Sequence, residues 1–186
     1  MSVKKKASGR RSAQVEVEVP GGTPSQPSPD AGGGQGGGRR RSAEAQLSTL
    51  IAKFAPAHLR LVGAMRRSLR KRLPTAHELV YEYREWFVIS YSPNEHGYEG
   101  VLAIRASANG VKLYFNQGKD LPDPAKLLQG SSQTRWILME GASTLARPAV
   151  VSLIDEALAQ NRVPFERAGR GSVVIRSTSA KKRRST

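Results

Sequence analysis

Residues 101–115, VLAIRASANGVKLYF, set two alternating apolar runs on either side of Asn109-Gly110. Both turn residues tolerate the positive φ that a tight hairpin demands, so Val101–Ser107 and Val111–Gln117 are expected to pair antiparallel. Trp86–Tyr91 and Trp136–Met139 have the same aromatic and β-branched character, which makes four strands available for one sheet. Because side chains alternate along a strand, Phe87 and Tyr91 fall on one face and Trp86 and Val88 on the other. One face must be core. A second face that keeps Tyr114 and Trp136 exposed beside Arg105 and Lys112 could stack bases or another planar ligand, an option that a covering layer of helices would close.

Upstream the period is helical. Ser42 is suited to cap a helix in which Leu47, Leu50, Ile51 and Phe54 share a side, and Pro56 interrupts it. Val62, Met65, Leu69 and Leu73 form a second stripe, with Arg60, Arg67 and Lys71 on the opposite, solvated side. The tetrad TAHE at 75–78 fits a capping box and predicts a third short helix through Tyr83. Near the other end, Pro148 suits a first helical turn that carries Val150, Leu153, Ile154, Ala157 and Leu158, and Asn161 can close it in a left-handed conformation. Beyond Pro164, GSVVIRSTS can add a short strand. The expected fold class is α+β: an antiparallel sheet of about four to five strands with N-terminal and C-terminal helices packed on one face.

The domain reading follows from composition. Residues 1–41 are rich in Gly, Pro, Ser and Arg without an aromatic residue, and such a segment buries too little surface to offset the entropy of ordering. They are read as a disordered basic tail, residues 42–161 as the folded domain, and residues 162–186 as a basic C-terminal extension. Of the net charge of +15, the tail carries eight basic against three acidic residues, the domain fourteen against eleven, and the extension eight against one. Basic tails attract polyanions through a screened, sequence-independent force, so weak nucleic-acid contact through the tails is expected. The absence of cysteine excludes disulfides, thiol catalysis and Cys-ligated metal. No run of about 18 apolar residues occurs, so no membrane span is expected, and the default reading is a cytoplasmic protein.

Catalytic signatures are missing. His58, His77 and His96 lie on separate predicted elements, and no Gly-x-Ser-x-Gly, His-Glu-x-x-His or paired-carboxylate pattern occurs. The expectation is a non-enzymatic protein without a cofactor. In QGKDLPDPAKLLQGSSQTR, residues 117–135, Asp123-Pro124 predicts the start of a helical turn and Gly130 its end, with Leu121, Leu127 and Leu128 as apolar anchors. Gly130-Ser131-Ser132 leads into a strand and lacks the Lys-Ser/Thr of a nucleotide-binding loop. The polar set left over makes Lys119, Ser131, Ser132 and Arg135 the candidate anion site. Glu95 and Glu99, which bracket His96 in a hairpin connection, could weakly bind a cation.

The runs HELVYEYREWFVISYSP, LYFNQGKDLPDPAKLLQGSSQTR and RPAVVSLIDEALAQ together resemble the YdhG-like domain family, a large bacterial family of unknown function, over about residues 46–160. The resemblance implies a small α+β domain with no established enzymatic activity. One branch of that family is described as frataxin-like iron chaperones. This implies an alternative, iron or other metal handling, for which Glu95, Glu99, Asp120 and Asp123 would be the ligands.

Overall fold

The computed structural model describes residues 42–177, and the expected disordered tail (1–41) and the basic end of the extension (178–186) lie outside them. Ser42 accepts a hydrogen bond from the Ala45 amide at 3.2 Å and so starts helix α1, Ala43–Phe54. A 3₁₀ turn at Pro56–His58 redirects the chain into α2, Leu59–Arg72. The third helix, α3, spans Pro148–Ala159 with the proline in its first turn.

Six strands follow one another as β1 (His77–Glu82), β2 (Trp86–Ser92), β3 (Leu102–Ser107), β4 (Gly110–Phe115), β5 (Arg135–Leu138) and β6 (Val173–Ser177). Across the sheet the order is β5-β4-β3-β2-β1-β6. The expected strand pairing is present, with Ser107 opposite Gly110 and Ile104 opposite Leu113, but the turn differs: Ala108 and Asn109 form the loop, Asn109 does not take a positive φ, and Gly110 alone does, at 127°. All neighbours pair antiparallel except β6, which runs parallel to β1. The sheet is therefore mixed and six-stranded rather than antiparallel with four to five strands.

The added strand is β1, and it displaces the predicted third helix. Thr75 does not cap: its hydroxyl donates to the Glu166 carbonyl at 2.8 Å. Glu78 does not reach back to the Thr75 amide, because its carboxylate is taken by Arg66 and Tyr91. With ladders available from both β2 and β6, the β-branched and aromatic run HELVYE becomes an interior strand. The end of α3 differs from expectation as well. Lys126 is the one non-glycine residue with positive φ among those described, so Asn161 is not left-handed, and its side-chain amide donates to the Val163 carbonyl.

One sheet face is core. Val80, Phe87, Ile89, Tyr91, Leu102, Ile104, Val111, Leu113 and Phe115 form a single buried cluster with the apolar stripes of all three helices. Burial of each large side chain is worth roughly 1.5–3 kcal/mol, so this face dominates stability. Among the described residues no helix covers the other face. Part of it is roofed by the connection between β2 and β3: Gly97 touches the Tyr81 hydroxyl, Gly100 touches the Ser90 hydroxyl, and Arg176 donates to the Glu95 carbonyl. Leu79 and Ser90 are buried on that part. The rest is open.

Candidate ligand-binding surface

Pairing register determines what the open part presents. Val88 stands opposite Arg105, Arg105 opposite Lys112, and Tyr114 opposite Trp136. These side chains are half-buried and form a connected strip of rings and cations. Arg105 lies over the Trp86 ring at 4.2 Å and donates to the Tyr114 hydroxyl at 3.1 Å. Lys112 sits over the Trp136 ring at 3.5 Å. Tyr83, in the β1–β2 turn, stacks on Trp86 with ring centroids 5.5 Å apart. Cations held over ring faces gain about 0.5–1 kcal/mol each at such partly exposed sites, enough to keep the long side chains extended along the sheet. Sequence reasoning brings Tyr114, Trp136, Arg105 and Lys112 to one surface. It does not bring in Tyr83, whose place follows from the turn between β1 and β2.

The 117–135 segment borders this strip. Gln129 pairs with Trp136, and Gly130, at φ 105°, lies against the Trp136 indole, where a Cβ would come within 3.4 Å of the ring nitrogen. The predicted helical turn after Asp123 is absent. Instead the Asp123 carboxylate accepts from the Leu127 and Leu128 amides at 3.0 and 2.7 Å, and Lys126 takes φ 53°. A short aspartate that satisfies two backbone donors competes directly with helix formation, which leaves those amides no carbonyl partners to seek. The segment has one 3₁₀ turn, Gly118–Asp120. Leu121 is buried, and Leu127 and Leu128 pack on the core as expected.

The Arg135 stem lies on Gly118, next to Lys119, whose amide donates to the Gln133 carbonyl at 2.9 Å. The guanidinium of Arg135 donates to the Ser132 carbonyl, and the Ser132 hydroxyl donates to the Thr134 carbonyl at 3.0 Å. Both groups thus brace the loop itself. Lys119 and Ser131 are exposed.

The four carboxylates considered for metal have separate partners. Glu99 accepts from the Asn94 side chain, Glu95 from Ser172 at 3.3 Å, Asp120 from Gln133 at 2.6 Å, and Asp123 from the two amides above. Glu99 and Asp120 do line one cleft, of about 490 Å³, with Gln117 and Arg162 at the end of α3. Among the described residues no three His, Asp or Glu side chains are grouped to share a metal ion. Nor is any described helix long and apolar enough to cross a membrane. The histidines stay on separate elements, His77 Nδ1 lying 2.8 Å from the Ser172 hydroxyl.

Between helices and sheet runs a charge network that is buried at Arg66 and Glu78 and exposed at Glu44 and Arg70. Arg66 contacts Glu78 at 2.5 Å and Glu44 at 3.1 Å, Arg70 contacts Glu44 at 2.9 Å, and the Tyr91 hydroxyl donates to Glu78 at 2.9 Å. The hydrogen bond from Arg66 holds the Glu44 carboxyl below its usual value. Burial opposes the charge of Arg66, yet its bonds to Glu78 and Glu44 raise its pKa further above an already high value. Burial also pushes the Tyr91 phenol well above its usual value, with the Glu78 charge adding to the effect. On the roofed part of the other face, burial raises Tyr81.

Neither protein-family models, nor curated proteins, nor solved structures match this chain.

Proposed function

We propose that this chain is a non-enzymatic binding domain for polyanions, with the open sheet face and the adjoining 117–135 loop as its folded contact surface. The observation that carries this reading is the connected strip in which Arg105 and Lys112 are fixed over Trp86 and Trp136 on a face that the hydrophobic core does not use. The 117–135 loop adjoins it at Gly130, against the Trp136 indole, and the basic residues of both tails add long-range attraction. The resemblance to the YdhG-like family, which implies a small α+β domain without established activity, is part of the same proposal.

Polyanion binding of this kind releases counterions, so affinity falls steeply with salt. The test is a fluorescence-anisotropy titration of the full chain against labelled inorganic polyphosphate and a labelled oligonucleotide at low and physiological salt. Binding of both at low salt, weakened at higher salt and further weakened by Lys112→Gln, is the expected result. No binding of either probe at low salt sinks the reading.

A further inference from the structure

The strip is more specific than a basic patch needs to be. A surface that only attracts charge can be built from lysine and arginine in any arrangement, whereas here rings and cations alternate over four adjacent strands. Trp86 and Trp136 are three strands apart. By register Trp136 aligns, through Tyr114 and Ala103, with Ser90, four residues along β2 from Trp86. At about 4.8 Å between strands and about 3.3 Å per residue, the two indoles lie roughly 20 Å apart on the diagonal. Arg105 and Lys112 occupy the middle of that diagonal, and Tyr114 stands directly opposite Trp136, so rings mark both ends and the cations lie between them.

We propose that this face binds a single-stranded polynucleotide, its bases stacking on Tyr114 and displacing Arg105 and Lys112 from the faces of Trp86 and Trp136, and its phosphates pairing with the two displaced cations. The proposal rests on the polyanion reading above and narrows it to one ligand class. Unpaired bases offer flat π-faces to aromatic rings, and stacking tolerates any sequence because every base has such a face. Bases inside a duplex are already stacked on one another and cannot reach the rings. The charge is complementary: the strip carries two cations and no carboxylate among its own six side chains (Tyr83, Trp86, Arg105, Lys112, Tyr114, Trp136). A span of roughly 20 Å corresponds to about six base steps at 3.4 Å.

The chain's two tryptophans both belong to the strip, so intrinsic tryptophan fluorescence reports on this site alone. The experiment titrates the full chain with an oligothymidylate of about six to eight residues, in ribo and deoxy forms, with an abasic oligomer of equal length and charge, and with a duplex. The expected result is quenching by both single strands and at least about tenfold weaker binding of the abasic oligomer, since one lost stacking partner already accounts for that factor. Trp136→Ala, at the edge of the sheet, is expected to remove about half of the emission and a similar factor of affinity. If the abasic oligomer or the duplex binds as tightly as the single strand, or if binding leaves the emission unchanged, the stacking proposal is overturned while the polyanion reading stands. If neither oligonucleotide nor polyphosphate binds at low salt, both fall.

Discussion

The guanidinium of Arg66, on α2, meets the carboxylate of Glu78, on β1, at 2.5 Å with the two side chains 13% and 2% exposed. Arg66 makes two hydrogen bonds that tie helix to sheet, and a third, from Tyr91, leaves the Glu78 carboxylate well satisfied. A buried pair contributes little over an apolar substitute, but the removal of one partner strands the other charge. Glu78→Ala is therefore expected to destabilise the domain by about 3–5 kcal/mol, read as a lowered urea midpoint, whereas the pairwise change Glu78→Leu with Arg66→Met is expected to recover most of the loss. Equal damage from the single and double variants would contradict this.

The same network sets opposite pH limbs. The Glu44 pKa is lowered in the folded chain, so its contribution is present above the usual value of 4.5 and disappears as pH falls below it through the folded value. The Tyr91 pKa is raised, so its contribution is full below 10.0 and is lost as pH rises from there toward the folded value. Urea midpoints measured across pH should show a shallower acid limb in Glu44→Gln and a shallower alkaline limb in Tyr91→Phe. Parallel curves for wild type and variants would exclude these two groups as the source.

Asp123 is expected to matter for the loop and not for the core. Its replacement by alanine leaves the Leu127 and Leu128 amides without their acceptor and should cost about 1–2 kcal/mol. Backbone amide shifts confined to residues around 121–130 would be the NMR signature. A change that spreads through β3 and β4 would mean the loop is part of the sheet's cooperative unit.

Lys112 reports on the open face. Lys112→Gln removes one cation from the strip without touching the core, so the slope of log affinity against log salt for a single-stranded oligonucleotide should fall by about 0.7. An unchanged slope would place the phosphates elsewhere.

Much of this architecture is written locally. The β3–β4 hairpin, the Ser42 cap and the proline of α3 depend on residues within a few positions of each other, and the structure has all three, although the hairpin turns through Ala108-Asn109. The TAHE tetrad shows the limit of local reasoning. Its helical signal is genuine in isolation, but partners 13 and 95 residues away, Tyr91 for Glu78 and Ser172 for His77, hold the segment in the sheet. The same limit applies at the surface. Alternation alone places Trp86 and Val88 on one side of β2, whereas it is the register setting Val88 opposite Arg105 that brings Arg105 to that side and over Trp86. The Asp123 turn fails as a helix for a third reason: a side chain that serves as acceptor for two amides is as compatible with Asp-Pro as a helix cap is.

The parallel strand β6, last of the described strands, pairs with β1, the first, and Gly171, whose Cβ would overlap the Ala76 carbonyl, is the point where the returning chain passes. In kinetic terms, that pairing closes a loop of about 95 residues, so its entropic cost falls due only after the hairpin ladder from β1 to β5 can form. A Gly171→Ala chain should consequently fold its antiparallel ladder at a normal rate and lose amide protection first at Val173–Ile175. On a ribosome, β1 would wait as a bare edge, with a row of unpaired backbone groups, until the final described strand emerged to cover it.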